Sequence, residues 1–215
     1  MSLRKIADAG LYVAAAAMVY LAIRTHVRPG TNAPPPIPNW SELVTSGTVV
    51  GSTAARVVIL EFLDYECPHC RRIHATLARL ADQFPDHLAI SYKQFPLPSH
   101  DQANGAAAAA LCADQRGRFR EYHGTLLLGS TTLLRSRSWM KIARTVNVPD
   151  TAAFHRCLSS ASVRLRIRRD VEDGRKLGVA GTPAFFINGH RFTSLDPDKD
   201  LPGAVRQRIR SGNAP

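Results

Sequence analysis

Residues 57–70 read VVILEFLDYECPHC, a short apolar run that leads into a Cys-x-x-Cys motif. The β-branched and apolar residues of Val57–Leu63 predict a strand that is buried on both faces. Beyond the motif, apolar residues recur at helical spacing, and Pro68 suits the first turn of a helix, where its missing N–H costs nothing. The sequence therefore places Cys67 and Cys70 where a buried strand turns into a helix.

The chain contains four cysteines, and the two in the motif have three common uses. A Cys-x-x-Cys pair serves redox exchange, metal binding or a structural disulfide. Structural zinc normally needs four ligands, and Cys112 and Cys157 do not form a second motif. Cys67, His69 and Cys70 supply three soft ligands, so a copper-binding module stays open as an alternative. We predict no metal and no dissociable cofactor.

The redox interpretation has a physical basis at the start of the helix. Unpaired N–H groups and the positive end of the helix dipole stabilise thiolate over thiol, which lowers the pKa of Cys67. His69 adds a donor, and a positive charge when it is protonated. A stabilised thiolate makes the disulfide a stronger oxidant, so Pro68-His69 between the cysteines favours an oxidant. We expect Cys67 to be the exposed attacking sulfur and Cys70 the buried resolving sulfur.

Glu61 stands out because it lies inside the apolar run, six residues before Cys67. A buried carboxylate is costly unless it is paired or has a function. We therefore expect Glu61 to relay a proton to or from Cys70. The alternative is a glutamate at the strand end that reaches solvent.

The rest of the chain predicts one further strand, a long helical segment and a terminal hairpin with a helix. The strand is Leu88–Phe95, and no proline interrupts residues 99–148. The helical pattern resumes with Asp150 as N-cap and ends at Leu177, before Gly178. Asn188-Gly189 is a strong hairpin-turn signal. The remaining elements are strand Ala184–Ile187, return strand His190–Thr193 and a helix from Asp196 to Ile209.

These features together resemble the DsbA-like branch of the thioredoxin superfamily. The strand and motif from Val58 to Cys70 are similar to the family's active site, and Gly178–Gly189, which contains Gly181-Thr182-Pro183, is similar to its cis-proline loop and hairpin. Phe95–His123 is similar to the entry of its helical insertion. The resemblance implies a thioredoxin-like α/β fold over residues 40–215, with a helical insertion at about 99–177.

The resemblance also implies specific roles. Thr182–Pro183 would be a cis peptide beside the motif, where its backbone pairs with an extended substrate. Thr182 itself also occurs at this position in isomerases and reductases. Similar chains often carry a second cysteine pair, so Cys112 and Cys157 would form a structural disulfide that braces the insertion. Two separate buried thiols are the alternative.

The N-terminal residues predict a membrane segment and a spacer. After a tail of residues 1–5, residues 6–23 carry only one charge, Asp8. An 18-residue helix would span about 27 Å, close to the hydrocarbon thickness of a bilayer. Either a retained transmembrane anchor, which we favour, or a cleaved signal peptide would export the downstream domain. Residues 24–39 are rich in proline and predict a semi-rigid linker.

Composition excludes several classes of protein. The 215 residues are 45% hydrophobic and 21% charged, which argues against collagen-like, coiled-coil and wholly disordered chains. The net charge of +11 fits a basic soluble surface better than nucleic-acid binding, since no nucleic-acid motif accompanies it. His100, His123 and His155 are interpreted as packing or surface residues of the helical insertion rather than as metal ligands.

The sequence as a whole predicts a membrane-tethered thiol–disulfide oxidoreductase, most simply a dithiol oxidase. By resemblance, its substrates are exported proteins with free cysteines, and its redox partner is a quinone-linked membrane oxidase of the DsbB or VKOR type. It would sit at the bacterial inner membrane with its catalytic domain on the extracytoplasmic, or periplasmic, side. A reductase or isomerase of the same fold is the alternative.

Overall fold

The computed structural model describes residues 35–129 and 131–212. The predicted tail, the anchor at 6–23 and the first part of the linker lie outside the described residues. Within the described ranges, no helix has the length and apolar character that crossing a bilayer requires. The described helices are α1 (Trp40–Thr45), α2 (Pro68–Gln83), α3 (Ala103–Asp114), α4 (Phe119–Leu128), α5 (Thr131–Arg135), α6 (Trp139–Thr145), α7 (Thr151–Leu158), α8 (Ala161–Lys176) and α9 (Pro197–Ser211).

Among the described residues, five strands form one mixed sheet in the order β1-β3-β2-β4-β5. Their bounds are β1 (Thr48–Gly51), β2 (Val57–Leu63), β3 (Leu88–Gln94), β4 (Ala184–Ile187) and β5 (His190–Phe192). Strands β2 and β3 run parallel, whereas β1 pairs with β3, β4 with β2, and β5 with β4 in the antiparallel sense. The strand that leads to the Cys-x-x-Cys motif is therefore central, which agrees with its apolar composition.

Helices cover both faces of the sheet. On one face, Ile59 and Leu63 of β2 belong to a core cluster with Ile73 and Leu77 of α2. On the other face, Phe62 packs in a second cluster with residues from the connection after β3, from the segment before β4 and from β4 itself: Phe95, Val179 and Phe186. Burial of both faces explains why this strand reads as an unbroken apolar run. The architecture is a thioredoxin-like α/β fold with a helical insertion.

The insertion is held together by a disulfide. Cys112 in α3 and Cys157 in α7 are bonded, with their Cα atoms 5.8 Å apart. The structure thus contains the bond that the resemblance implied, rather than two separate thiols. Helix α3 is buried nearly all round, because its alanine-rich sequence lets neighbouring helices approach closely from several sides.

The structure differs from the sequence prediction in one helix and in one strand. The predicted helix from Asp150 to Leu177 is two helices, because Ser160 begins a new one by accepting a hydrogen bond at its side chain from the N–H of Val163. The short edge strand β1 was not predicted, since four residues at a sheet edge carry little periodic signal. The Asn188-Gly189 turn is confirmed, and both residues have positive φ.

Candidate active site

The end of β2 and the start of α2 place the two cysteines of the motif. Cys67 is the N-cap residue of α2, with φ −65° and ψ 120°, and Pro68 occupies the first turn. The Cys67 N–H donates to the carbonyl of Asp64 at 3.2 Å, which closes the turn between strand and helix. Both Cys67 and Cys70 are free thiols in the structure. Cys70 lies one turn into the helix and faces the core.

Cys67 is less accessible than the sequence analysis expected. Its exposed fraction is 4%, and that of Cys70 is 1%. The expectation of an exposed attacking sulfur is therefore wrong for this conformation. The reason is tertiary, because the Cys67 thiol donates a hydrogen bond to the carbonyl of Thr182 at 3.1 Å, and that segment covers the sulfur.

The environment of Cys67 strongly favours its thiolate. Its pKa is lowered to about 5, with the hydrogen bond from the Cys70 thiol as the largest contribution, against the opposing effect of burial. The side chain of Thr182 and the backbone N–H groups of Cys70 and His69 also lower it. His69 therefore contributes through the helix start, where its main-chain N–H is unpaired by the helix.

Glu61 is buried inside β2, with an exposed fraction of 3%, so the alternative of a solvent-reaching side chain is wrong. Burial, and then the negative charge of Cys67, raise the pKa of Glu61 to about 8. Burial also raises the pKa of Cys70, and Cys67 and Glu61 add to that effect. Near neutral pH, the site therefore combines a thiolate at Cys67 with a protonated carboxyl at Glu61 and a protonated thiol at Cys70.

The side chain of His69 is exposed and is held by a neighbour on the same helix. Arg72 donates to the His69 Nδ1 at 2.8 Å, and its Nε forms a 3.1 Å ion pair with Asp198 at the start of α9. Arg72 is not among the site residues predicted from the sequence. Within the described part of the chain, no group of three or more His, Cys, Asp or Glu side chains is arranged to hold a metal ion.

The peptide bond between Thr182 and Pro183 is cis. Pro183 lines a groove of about 270 Å³ together with His69 and Arg72 of α2 and with Leu195 and Asp198 at the start of α9. The groove runs from the motif along the surface between the two helices. Cys67 does not line the groove itself, but its sulfur contacts the carbonyl of Thr182, the residue before Pro183.

Sequence reasoning missed a second group of residues at the site. The Asp64 carboxylate is fully buried and accepts a hydrogen bond from His100 Nδ1 at 2.9 Å. The neighbouring Glu66 accepts a hydrogen bond from the N–H of Gln102. His100 is thus part of the active-site surroundings, not only a packing residue of the insertion. The signal that was available was the presence of two acids, Asp64 and Glu66, immediately before Cys67.

The other histidines of the insertion keep the interpretation given from the sequence. His123 is buried, and its Nδ1 shares a 3.0 Å hydrogen bond with the hydroxyl of Tyr65. Its ring also stacks on Phe119, with centroids 4.9 Å apart. His155 lies exposed on α7.

Comparisons with known proteins support the fold. A family model described as Thioredoxin matches residues 44–206. The chain is 33% identical over 166 residues to Na(+)/H(+) antiporter NhaA 3 of Salinispora tropica, a match that covers 76% of this chain and 25% of the antiporter. The chain thus spans about a quarter of the length of the first curated relatives it matches.

Two further proteins match over most of their own length. The chain is 26% identical over 173 residues to the probable disulfide bond formation protein D of Bacillus anthracis, covering 75% of this chain and 77% of that protein. A crystal structure of a thioredoxin-like oxidoreductase from Silicibacter pomeroyi DSS-3 superposes with a TM-score of 0.65 at 29% identity, covering 77% and 93%. Since the family model covers well over half of the chain, the chain belongs to the thioredoxin family.

Proposed function

We propose that this chain is a dithiol oxidase that introduces disulfides into exported proteins through Cys67 and Cys70. The observation that carries the proposal is the environment of Cys67, whose pKa is lowered to about 5. An active-site thiolate that is stable at neutral pH favours the reduced state of the enzyme. The corresponding disulfide therefore tends to accept two electrons from a substrate dithiol.

The reaction begins with the oxidised form of the site. A substrate thiolate attacks the sulfur of Cys67, the Cys67–Cys70 bond breaks, and a mixed disulfide forms between substrate and Cys67. Cys70 leaves as a thiolate and takes a proton from Glu61, whose carboxyl group is protonated at neutral pH. A second substrate thiolate then attacks the mixed disulfide, the substrate disulfide forms, and Cys67 leaves as a stabilised thiolate. Two electrons pass from the substrate to the enzyme.

The roles of the surrounding residues follow from their positions. Pro68 and His69 form the exposed start of α2, and His69 lines the groove. The backbone of Thr182 and Pro183, beside the sulfur of Cys67, holds the substrate segment on either side of its cysteine. The Thr182 carbonyl contacts the Cys67 thiol, so it lies where a substrate backbone has to pass.

The cycle needs an oxidant that restores the Cys67–Cys70 disulfide. We assign this step to a quinone-linked membrane protein of the DsbB or VKOR type, which receives the two electrons. The disulfide between Cys112 and Cys157 supports a compartment outside the cytoplasm, because structural disulfides persist in oxidising environments. The proposed location is the extracytoplasmic side of the bacterial inner membrane.

The proposed tether is the apolar segment at residues 6–23, followed by the linker at 24–39. A tether would keep the domain near a membrane-bound redox partner and raise the effective concentration of the pair. Fractionation of cells that express the full chain tests this part separately. Recovery of the chain with the membranes after an alkaline carbonate wash supports an anchor. Recovery in the soluble fraction of a chain that has lost its N-terminal segment by cleavage contradicts it.

The deciding experiment is the reduction potential of the full chain in glutathione buffers, with the Cys67–Cys70 state counted by thiol mass-tagging. A potential more oxidising than the glutathione pool, about −220 to −260 mV, supports the dithiol oxidase. A potential near that of thioredoxin, about −270 mV, contradicts it and favours a reductase.

A reductase or isomerase of the same fold is the second candidate, and Thr182 is the observation that favours it. The main-chain carbonyl of Thr182 contacts the reactive sulfur, and the Thr182 side chain separately lowers the pKa of Cys67. Activity on a scrambled disulfide substrate separates the isomerase from the oxidase. The oxidase predicts faster oxidation of a reduced substrate than rearrangement of a scrambled one.

A further inference from the structure

Asp64, three residues before Cys67, carries a fully buried carboxylate. One oxygen accepts the N–H of Glu66 at 2.7 Å, and the other accepts the N–H of Leu97 at 2.7 Å. The second oxygen also meets the Nδ1 of His100 at 2.9 Å. This single side chain therefore joins the active-site turn, which connects β2 to α2 at residues 64–67, to the segment that follows β3.

The charge of Asp64 has a cost for the reaction. A carboxylate without a counter-charge close to Cys67 would repel the thiolate and raise its pKa. A second acid, Glu66, lies between Asp64 and Cys67 in the same turn and accepts the N–H of Gln102. An effective oxidant needs the opposite effect, so the negative charge of this turn has to be compensated.

His100 has the position to supply that compensation. His100 forms an ion pair with Asp64, in which the His100 side chain is 24% exposed and the Asp64 side chain is fully buried. Burial opposes a charge on His100, but the hydrogen bond and the attraction of Asp64 outweigh it and raise its pKa, and Glu66 and Cys67 add to that effect. The charged groups that face His100 are thus Asp64 and Glu66 from the turn and Cys67 from the start of α2.

We propose that His100 is a positioning residue for the thiolate of Cys67, because its imidazolium neutralises Asp64 and ties the connection after β3 to the active-site turn. The inference rests on the proposed thiol–disulfide chemistry of Cys67. While His100 is protonated, Cys67 faces a neutral pair. Once His100 loses its proton, Cys67 faces the full charge of Asp64, and the thiolate becomes less stable relative to the thiol.

Three variants of the reduced full chain in detergent test the proposal. His100→Gln keeps a hydrogen-bond donor for Asp64 but removes the charge, and His100→Lys keeps a positive charge at every pH of interest. His87→Gln is the matched control, since His87 is exposed just before β3, at the opposite end of the parallel β2–β3 pair from Cys67. The readout is the pH profile of Cys67 alkylation by iodoacetamide, with the modified cysteine identified by mass spectrometry.

We expect the midpoint of the alkylation profile to rise by about one pH unit in His100→Gln, a tenfold loss of thiolate at pH values below the midpoint. The midpoint of His100→Lys and of His87→Gln should stay with that of the unmodified chain. An unchanged midpoint in His100→Gln overturns the proposal. Equal shifts in His100→Gln and His100→Lys also overturn it, because they assign to His100 a steric role instead of an electrostatic one.

This readout separates the inference from the proposed function. Alkylation requires neither a protein substrate nor a redox partner, so the His100 effect is measurable even if the chain proves to be a reductase. Conversely, an oxidising potential together with an unchanged His100→Gln midpoint supports the dithiol oxidase and rules out only the proposed role of His100. Thermal unfolding of each variant shows whether the fold is retained.

Discussion

The two cysteine pairs of this chain are both buried, but they differ in bonding state and in their place on the helices. Cys67 and Cys70 are free thiols at the start of a helix, and the thiolate of Cys67 is stabilised by its neighbours. Cys112 and Cys157 are bonded to each other across two helices of the insertion. The difference between the pairs lies in the helix start, where a stabilised thiolate favours thiol–disulfide exchange.

Removing cysteines from each pair in turn tests this difference most directly. Cys67→Ser should abolish thiol–disulfide exchange with a reduced protein substrate, because the attacked sulfur is gone. The double variant Cys112→Ala/Cys157→Ala should retain exchange at a temperature where it stays folded. The rate of substrate oxidation under limiting enzyme checks both. Residual exchange in Cys67→Ser would mean that another sulfur carries the reaction.

The second prediction concerns stability. Loss of the Cys112–Cys157 bond, which spans a sequence separation of 45, should lower the free energy of unfolding by about 4 kcal/mol in the loop-entropy model. Urea denaturation of the double alanine variant measures this, with the unmodified chain as reference. A loss below about 1 kcal/mol would show that packing of the insertion, not the bond, holds α3 and α7 together.

The third prediction uses the buried acid beneath the active pair. Because the folded-state pKa of Glu61 is raised to about 8, its contribution to stability is present below pH 4.5 and is lost as pH rises through 8. In Glu61→Gln this loss should disappear, because the variant has no titrating group at that position. The unfolding free energy of the variant relative to that of the unmodified chain should therefore rise by about 3 kcal/mol between pH 5 and pH 8. Glu42→Gln, at an exposed position of α1, is the control. A parallel pH dependence in Glu61→Gln and the unmodified chain would contradict a raised pKa.

The smallest expected effect is the difference in stability between the reduced and the oxidised form, which should have opposite signs for the two cysteine pairs. The pKa of Cys67 is lowered to about 5, so its thiolate stabilises the reduced fold above the unfolded value and this stability is lost as pH falls through 5. At pH 7 the gain is about 3 kcal/mol, and opening the short Cys67–Cys70 loop offsets about 2 kcal/mol of it.

The reduced Cys67–Cys70 form should therefore unfold with about 1 kcal/mol more free energy than the oxidised form at pH 7, whereas reduction of Cys112–Cys157 has the opposite sign. Denaturation of the two redox forms, with the insertion disulfide intact in both, measures the difference. An oxidised form that is clearly more stable would argue against a dithiol oxidase.

Much of the site was predictable from the sequence because its signals are local. The apolar strand, the Cys-x-x-Cys motif and Pro68 at the start of α2 are neighbours in the chain, and their geometry follows from the turn between strand and helix. Burial of Glu61 followed from the same apolar run. The break between α7 and α8 was also local, but the Ser160 cap signal was weaker than the helical pattern on either side.

The surroundings of the reactive sulfur depend instead on contacts between residues that are distant in the chain. The cover over Cys67 comes from Thr182, at a sequence separation of 115, and the partner of Asp64 is His100, at a separation of 36. The amino-acid order was sufficient for a strand–motif–helix unit with a candidate thiolate, since hydrophobic periodicity and helix-start chemistry act over a few residues. The folded chain set how buried that thiolate is and which charges surround it, because burial and electrostatics depend on distance in space.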